Sequence, residues 1–156
     1  MAARTRWTAA ASAAGLLVVI TIAVLVWLGT RAEPTAPNPN DAALVALGGA
    51  VYAQNCASCH GGRLEGQPNW RERQPNGRLP APPHDASGHT WHHSDKDLFE
   101  MVKHGMPEIV PGYRTDMPKY EGVLKDTDIW AVLSYIKSTW PPEIRARQQR
   151  MNQRQQ

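Results

Sequence analysis

Two different hydrophobic patterns divide the chain. Between Arg6 and Arg31 there is no charged residue, and residues 16–28 are nearly continuous Leu, Val and Ile. The stretch from Trp7 to Leu28 is long enough to cross a bilayer as a helix. Trp7 and Trp27 sit near its ends, where interfacial aromatics are favoured. Beyond it the apolar positions become sparse and periodic. Leu44, Leu47, Gly48, Val51 and Tyr52 recur at helical spacing and predict a first helix. Gly48 and Gly49 weaken that helix intrinsically; a close helix crossing, in which a missing side chain admits a partner aromatic, accounts for them. Ser94 and Asp97 make an S-x-x-D start ahead of Leu98, Phe99, Met101 and Val102, with Gly105 as a stop after His104. Asp126, Thr127 and Asp128 open a third helix, whose apolar face carries Ile129, Val132, Leu133, Ile136 and Trp140 before Pro141 and Pro142 end it. No alternating strand pattern and no internal repeat occurs. The predicted fold class is all-α.

These patterns predict four regions. Residues 1–32 are an N-terminal transmembrane helix, with Arg4 and Arg6 keeping its start in the cytoplasm. A cleaved signal peptide ending near Thr30-Arg31-Ala32 is the competing reading; the length of the apolar run favours the anchor. Either way the rest of the chain is exported. Residues 33–40 are a proline-rich, semi-rigid tether. Residues 41–142 form the folded domain, and residues 143–156 a basic polar tail expected to be solvated.

Charge changes this picture little. The formal net charge is +3, but residues 33–143 carry 10 Lys or Arg against 14 Asp or Glu. The basic excess lies at the two ends. The pI of about 9.1 therefore does not describe a nucleic-acid surface, and no basic-aromatic stripe supports one. A single Phe and 13 Pro describe a small core wrapped in irregular loops.

The chemistry is concentrated in Cys56-Ala57-Ser58-Cys59-His60, which holds both cysteines of the chain. A C-x-x-C-H run reads as covalent c-type haem attachment. Each thiol adds to one vinyl group of the porphyrin, and the adjacent His60 becomes the proximal iron ligand. C-x-x-C alone also serves redox pairs and zinc half-sites. A redox pair needs a βαβ setting that the pattern lacks, and zinc needs more thiols. Haem c is attached on the outer side of the bacterial membrane, in agreement with export. One covalent haem would also add apolar surface that the small core lacks.

The sixth ligand is a methionine or a histidine by the usual menu. Met117, in Thr115-Asp116-Met117-Pro118-Lys119-Tyr120, is the assignment, because the following proline restrains its loop. Met106 also precedes a proline but sits at a helix end, and Met101 reads as core. His/Met ligation implies a relatively high potential.

Tyr52-Ala53-Gln54-Asn55 leading into the haem motif resembles the start of bacterial class I cytochromes c. Asp116-Met117-Pro118-Lys119-Tyr120, followed by Asp128-Ile129-Trp130-Ala131-Val132-Leu133-Ser134-Tyr135-Ile136, resembles their distal loop and C-terminal helix. The resemblance covers residues 44–140. It implies a small class I cytochrome c fold wrapped around one covalently bound haem, with Gly48 against Tyr135 where the first and last helices cross. It also implies a proline carbonyl, from Pro82 or Pro83, that accepts from the proximal histidine. Departures are His84 where a leucine often packs on the porphyrin, a long Pro- and Arg-rich loop over residues 67–83, and Lys125 where a serine cap is common.

Four histidines between His84 and His93 (with His89 and His92) could bind copper or zinc. The plainer reading is a polar loop over the haem edge, in which Trp91 and a histidine bond the propionates. Trp70 and Arg78 are candidates for the same edge. The expected function is one-electron transport, not enzymatic catalysis. The domain would lie in the periplasm, held by a single pass in the cytoplasmic membrane. The resemblance implies a quinol-oxidising donor and a terminal oxidase or reductase as acceptor. Two alternatives remain open: a haem enzyme or gas sensor with a labile sixth ligand, and a copper-handling protein that uses residues 84–93.

Overall fold

The computed structural model describes residues 15–24 and 32–154. They fall into two compact units, one up to Glu33 and one from Pro34 onward. In the first, residues 15–24 are helical and exposed. The rest of the expected membrane span, residues 7–14 and 25–28, lies outside the described residues. Among the described residues no helix is long and apolar enough to cross a membrane.

The second unit is helical, with no strand among the described residues. Its elements are α1 (Ala42–Asn55), α2 (Ala57–His60), a 3-10 turn (Thr90–His92), α3 (Asp95–His104), α4 (Met106–Ile109), α5 (Asp126–Ser138) and α6 (Pro142–Gln153). Helix α1 begins where Asp41 accepts the N–H groups of Ala43 and Leu44, both at 3.0 Å, satisfying two donors that the first turn leaves open. Ser94 caps α3 by accepting from the Asp97 N–H at 3.1 Å. Lysine at the start of α5 has no acceptor to offer. There the Asp128 carboxylate instead accepts from the Lys125 N–H at 3.1 Å.

The frame of the domain is the crossing of α1 and α5. A Cβ on Gly48 would overlap the carbonyl of Ala131 and come within 2.9 Å of Tyr135 Cβ, so only glycine permits this approach. One side of α5 closes a core of Val51, Tyr52, Leu64, Val132, Ile136 and Trp140. The other packs Ile129 and Leu133 against Leu98 and Phe99 of α3. Trp140 lies past the end of α5 yet is 2% exposed, with its indole N–H donating to the His84 carbonyl at 2.7 Å.

Two boundaries differ from expectation. The tether is not free up to Asp41: the Asn38 N–H donates to Ser134 Oγ at 2.9 Å. Ser134 is fully buried and donates its own hydroxyl to the Trp130 carbonyl, so the tether amide fills its remaining acceptor capacity. The tail is not a solvated end either. Pro142 sits at the first position of α6, where its fixed φ is preorganised for a helix. Gln148 and Asn152, one turn apart on α6, both donate to the Asp95 carboxylate at 2.7 Å. Arg147 lies over the Trp91 ring at 4.6 Å. Ile144 alone on α6 packs against the Trp140 core, and the rest of the docking face is largely polar, which is why apolar periodicity did not reveal it.

Candidate haem-binding site

Helix α1 runs directly into the cysteine motif. Cys56 ends it by donating its N–H to the Tyr52 carbonyl at 2.9 Å, and the single turn of α2 carries Cys59 and His60. Both thiols are free; Cys56 is half-buried and Cys59 exposed. Burial, and then the neighbouring Cys59, pushes the Cys56 thiol up to about 11. The buried Tyr52 hydroxyl donates to the Gly61 carbonyl at 2.8 Å, pinning the turn just after the motif. Its pKa is raised, chiefly by burial.

His60 is buried, with Nδ1 2.8 Å from the Pro82 carbonyl oxygen. A carbonyl can only accept, so Nδ1 carries the proton and Nε2 keeps its lone pair. Burial lowers the His60 pKa, opposed by that hydrogen bond, and the ring is the neutral imidazole that a metal needs. The local backbone sets the position of the Pro82 carbonyl. Gly66, at φ +67, passes so close that a Cβ would overlap the Pro83 nitrogen, and its N–H donates to the His60 carbonyl at 2.7 Å. Leu64 is held at φ +70, a conformation costing a non-glycine residue roughly 1–2 kcal/mol. Its carbonyl accepts from the His84 N–H at 2.8 Å.

His84 is the residue whose role the sequence did not disclose. Its ring stacks on His60, with centroids 4.0 Å apart and planes at 24°. Its Nδ1 is hydrogen-bonded to Thr90 Oγ1 at 2.8 Å. Burial first, then His60 and His89, holds its pKa well below the usual imidazole range, so it packs as a neutral, flat wall. The signal was present: a histidine follows the Pro82-Pro83 pair where the resemblance leads one to expect a leucine.

Met117 is half-buried, and its N–H donates to Thr115 Oγ1 at 3.0 Å. Three residues later Tyr120 ties the segment down. Its N–H donates to the Val102 carbonyl at 3.1 Å, and its hydroxyl to the Asn55 carbonyl at 2.6 Å, next to Cys56. No hydrogen bond among the described residues joins Met117 to His60 or to either cysteine. Met106 begins the short helix α4.

The histidine-rich segment uses its rings for packing. His89 stacks on Trp70 at 5.2 Å, His92 on Trp91 at 3.7 Å, and His93 meets His89 edge-on at 5.4 Å. No three His, Cys, Asp or Glu among the described residues are grouped to hold a metal ion. The copper reading thus finds no assembled ligand set. Trp91 Nε1 is the one buried side-chain nitrogen or oxygen among the described residues without a hydrogen-bond partner. An unmatched buried donor costs about 1–3 kcal/mol and suits a group that brings its own acceptors.

Together these residues fit a covalently held porphyrin. Two free thiols lie at the start of and within a single turn, a neutral histidine has a fixed tautomer, and an orphaned indole donor matches a propionate. In comparison with known families, residues 45–140 match the family model described as cytochrome c. No curated protein and no solved structure matches the chain.

Proposed function

The chain belongs to the cytochrome c family, and from that premise we propose that it is a one-electron carrier with a single haem c ligated by His60 and Met117. Haem iron, when bound, supplies the exchange between ferric and ferrous states. The protein supplies attachment, orientation and enclosure. Cys56 and Cys59 would hold the porphyrin edge. Pro82 fixes the tautomer and direction of His60, a partner one step removed from the iron that also raises ligand basicity. Thr115 restrains the backbone of Met117, and Tyr120 ties that segment to Asn55. The observation that carries the reading is the 2.8 Å bond from His60 Nδ1 to Pro82, because it leaves Nε2 as a ready ligand beside two free thiols.

The proposal extends to location. The uncharged run between Arg6 and Arg31 supports a single-pass anchor in the cytoplasmic membrane, with the haem domain on the periplasmic side. Anchoring raises the local concentration of the domain near membrane-embedded partners. A quinol-oxidising complex as donor and a terminal oxidase or reductase as acceptor suit that position.

The test is the visible spectrum of the haem-loaded protein, oxidised and reduced, for wild type and Met117→Ala. A low-spin c-type spectrum with a methionine-to-ferric charge-transfer band that vanishes in the variant is expected. A high-spin wild type, or one that binds carbon monoxide readily, would overturn closed His/Met ligation and bring the enzyme or sensor reading forward.

A further inference from the structure

We propose that residues 67–81 form a strap that holds the Met117 loop closed, with Arg78 as the positioning residue and Asp116 as its anchor. The segment is ordered by its own hydrogen bonds. The Gln67 N–H donates to the Ala81 carbonyl at 2.9 Å, and the Ala81 N–H returns to Gln67 Oε1 at 3.0 Å. Further out, the Gln74 N–H donates to the Arg78 carbonyl at 2.9 Å, and Arg73 Nη1 to the Gly77 carbonyl at 2.7 Å. Four residues from that closed tip, the chain reaches Pro82, the partner of His60.

From this base the strap reaches the distal loop. The Arg78 guanidinium pairs with the Asp116 carboxylate, immediately before Met117. Arg114 Nη1 donates to the Asn76 carbonyl at 3.4 Å, and Arg73 lies over the Tyr113 ring at 5.8 Å. Apart from the local turn in which the Tyr113 N–H donates to the Val110 carbonyl at 3.0 Å, every hydrogen bond among the described residues that links residues 111–118 to another segment goes to this strap. The Thr115 bond to Met117 is internal to the loop, so it shapes the loop without docking it. Opening the loop therefore requires breaking the strap contacts. One continuous segment thereby reaches both proposed axial ligands, His60 through Pro82 and Met117 through Asp116. Arg78 and Asp116 are both substantially exposed, so each contact is individually weak; the strap acts by the sum.

This inference rests on Met117 ligation, and the experiment separates the two. Imidazole is added to the ferric, haem-loaded full chain. The rate at saturating imidazole reports how often the methionine leaves, since binding then waits on loop opening. Arg78→Ala should raise that rate about 2-fold to 5-fold, and Arg73→Ala/Arg78→Ala/Arg114→Ala on the order of 10-fold. Arg78→Lys should recover part of the wild-type rate, and Arg150→Ala, on α6, should leave it unchanged. The charge-transfer band at zero imidazole should persist but weaken in the triple variant. A wild type that shows the band while all variants keep its rate overturns the strap alone. A rise equal in Arg150→Ala also overturns it, as a general charge effect. A wild type without the band overturns Met117 ligation and the strap with it.

Discussion

Gly48 and Gly49 are neighbours on one helix, yet alanine at the two positions should act with opposite sign. Either change removes a helical glycine and gains about 1 kcal/mol in helix propensity. At Gly49 nothing opposes that gain, because the new Cβ meets the Tyr135 ring at 3.5 Å, an ordinary contact. At Gly48 the new Cβ would overlap the Ala131 carbonyl and approach Tyr135 Cβ at 2.9 Å. A backbone carbonyl inside α5 cannot rotate away, so the helices must part. Separation loosens the packing of Val51 and Tyr52 against Val132 and Ile136. Overpacking of this kind costs typically 1–3 kcal/mol, occasionally more; a collision with backbone belongs at the upper end, leaving a net loss of about 2 kcal/mol. For a domain of this size, roughly 4 °C of Tm corresponds to each kcal/mol. Gly48→Ala is thus expected near 8 °C below wild type, and Gly49→Ala as much as about 4 °C above it. The assay is thermal unfolding of the haem-loaded protein in one oxidation state, followed by far-ultraviolet circular dichroism and by the Soret band. Equal shifts of the same sign would refute a tight crossing at Gly48.

Two further outcomes follow from polar groups in the domain. Lys137 and Asp95 pair at 2.6 Å with side chains only 9% and 19% exposed. Asp95→Ala strands that ammonium along with the Gln148 and Asn152 donors, and should cost about 3 kcal/mol. Lys137→Met should cost clearly less, because Asp95 keeps Gln148 and Asn152 and sits in the first turn of α3, where the helix dipole favours a carboxylate. Urea midpoints decide between them, and an equal or reversed order would refute the asymmetry. The second outcome concerns pH. Burial, more than any neighbouring charge, lowers the pKa values of His89 and His93, so the unfolded chain binds protons that the folded domain resists. That contribution to stability is intact above about pH 6.5 and declines as pH falls below it. The urea midpoint should drop between pH 7 and pH 5, and the drop should shrink in His89→Gln/His93→Gln. A wild-type midpoint that is flat or rises over this interval would contradict the assignment.

What could be read from the sequence follows the reach of local rules. Helices α1, α3 and α5 announced themselves because apolar periodicity and capping residues act within a few positions. Ser94 and Gly105 bound α3 as expected, and the glycine pair in α1 pointed to a close crossing before any partner was visible. The cysteine motif was equally local, since the two-residue gap and the adjacent His60 together point to haem attachment. The acceptor for His60 was narrowed to two prolines by resemblance; choosing Pro82 required knowing how Gly66 and Leu64 turn the chain back under it. The stacking of His84 on His60 needs three-dimensional register too, because 24 residues separate them in sequence.

The elements that escaped share a physical cause. Helix α6 and the strap over residues 67–81 are attached largely by polar contacts, with Ile144 and Trp70 as single apolar footholds, and neither has an apolar stripe to betray it. Gln148 is fully buried, although glutamine on an exposed-looking helix reads as surface. Its burial is tolerable because its amide finds Asp95, His93 and Asn152, and a satisfied amide escapes most of the desolvation penalty. The composition makes this choice intelligible. With one Phe in the chain, and with the porphyrin as the largest apolar body the core would enclose, little hydrophobic side-chain surface remains to dock peripheral segments. Polar docking is directional, so it fixes position where hydrophobic contact would only favour proximity. If Met117 is the sixth ligand, as proposed, a loop that must present its sulfur while staying largely hydrated gains more from direction than from buried area.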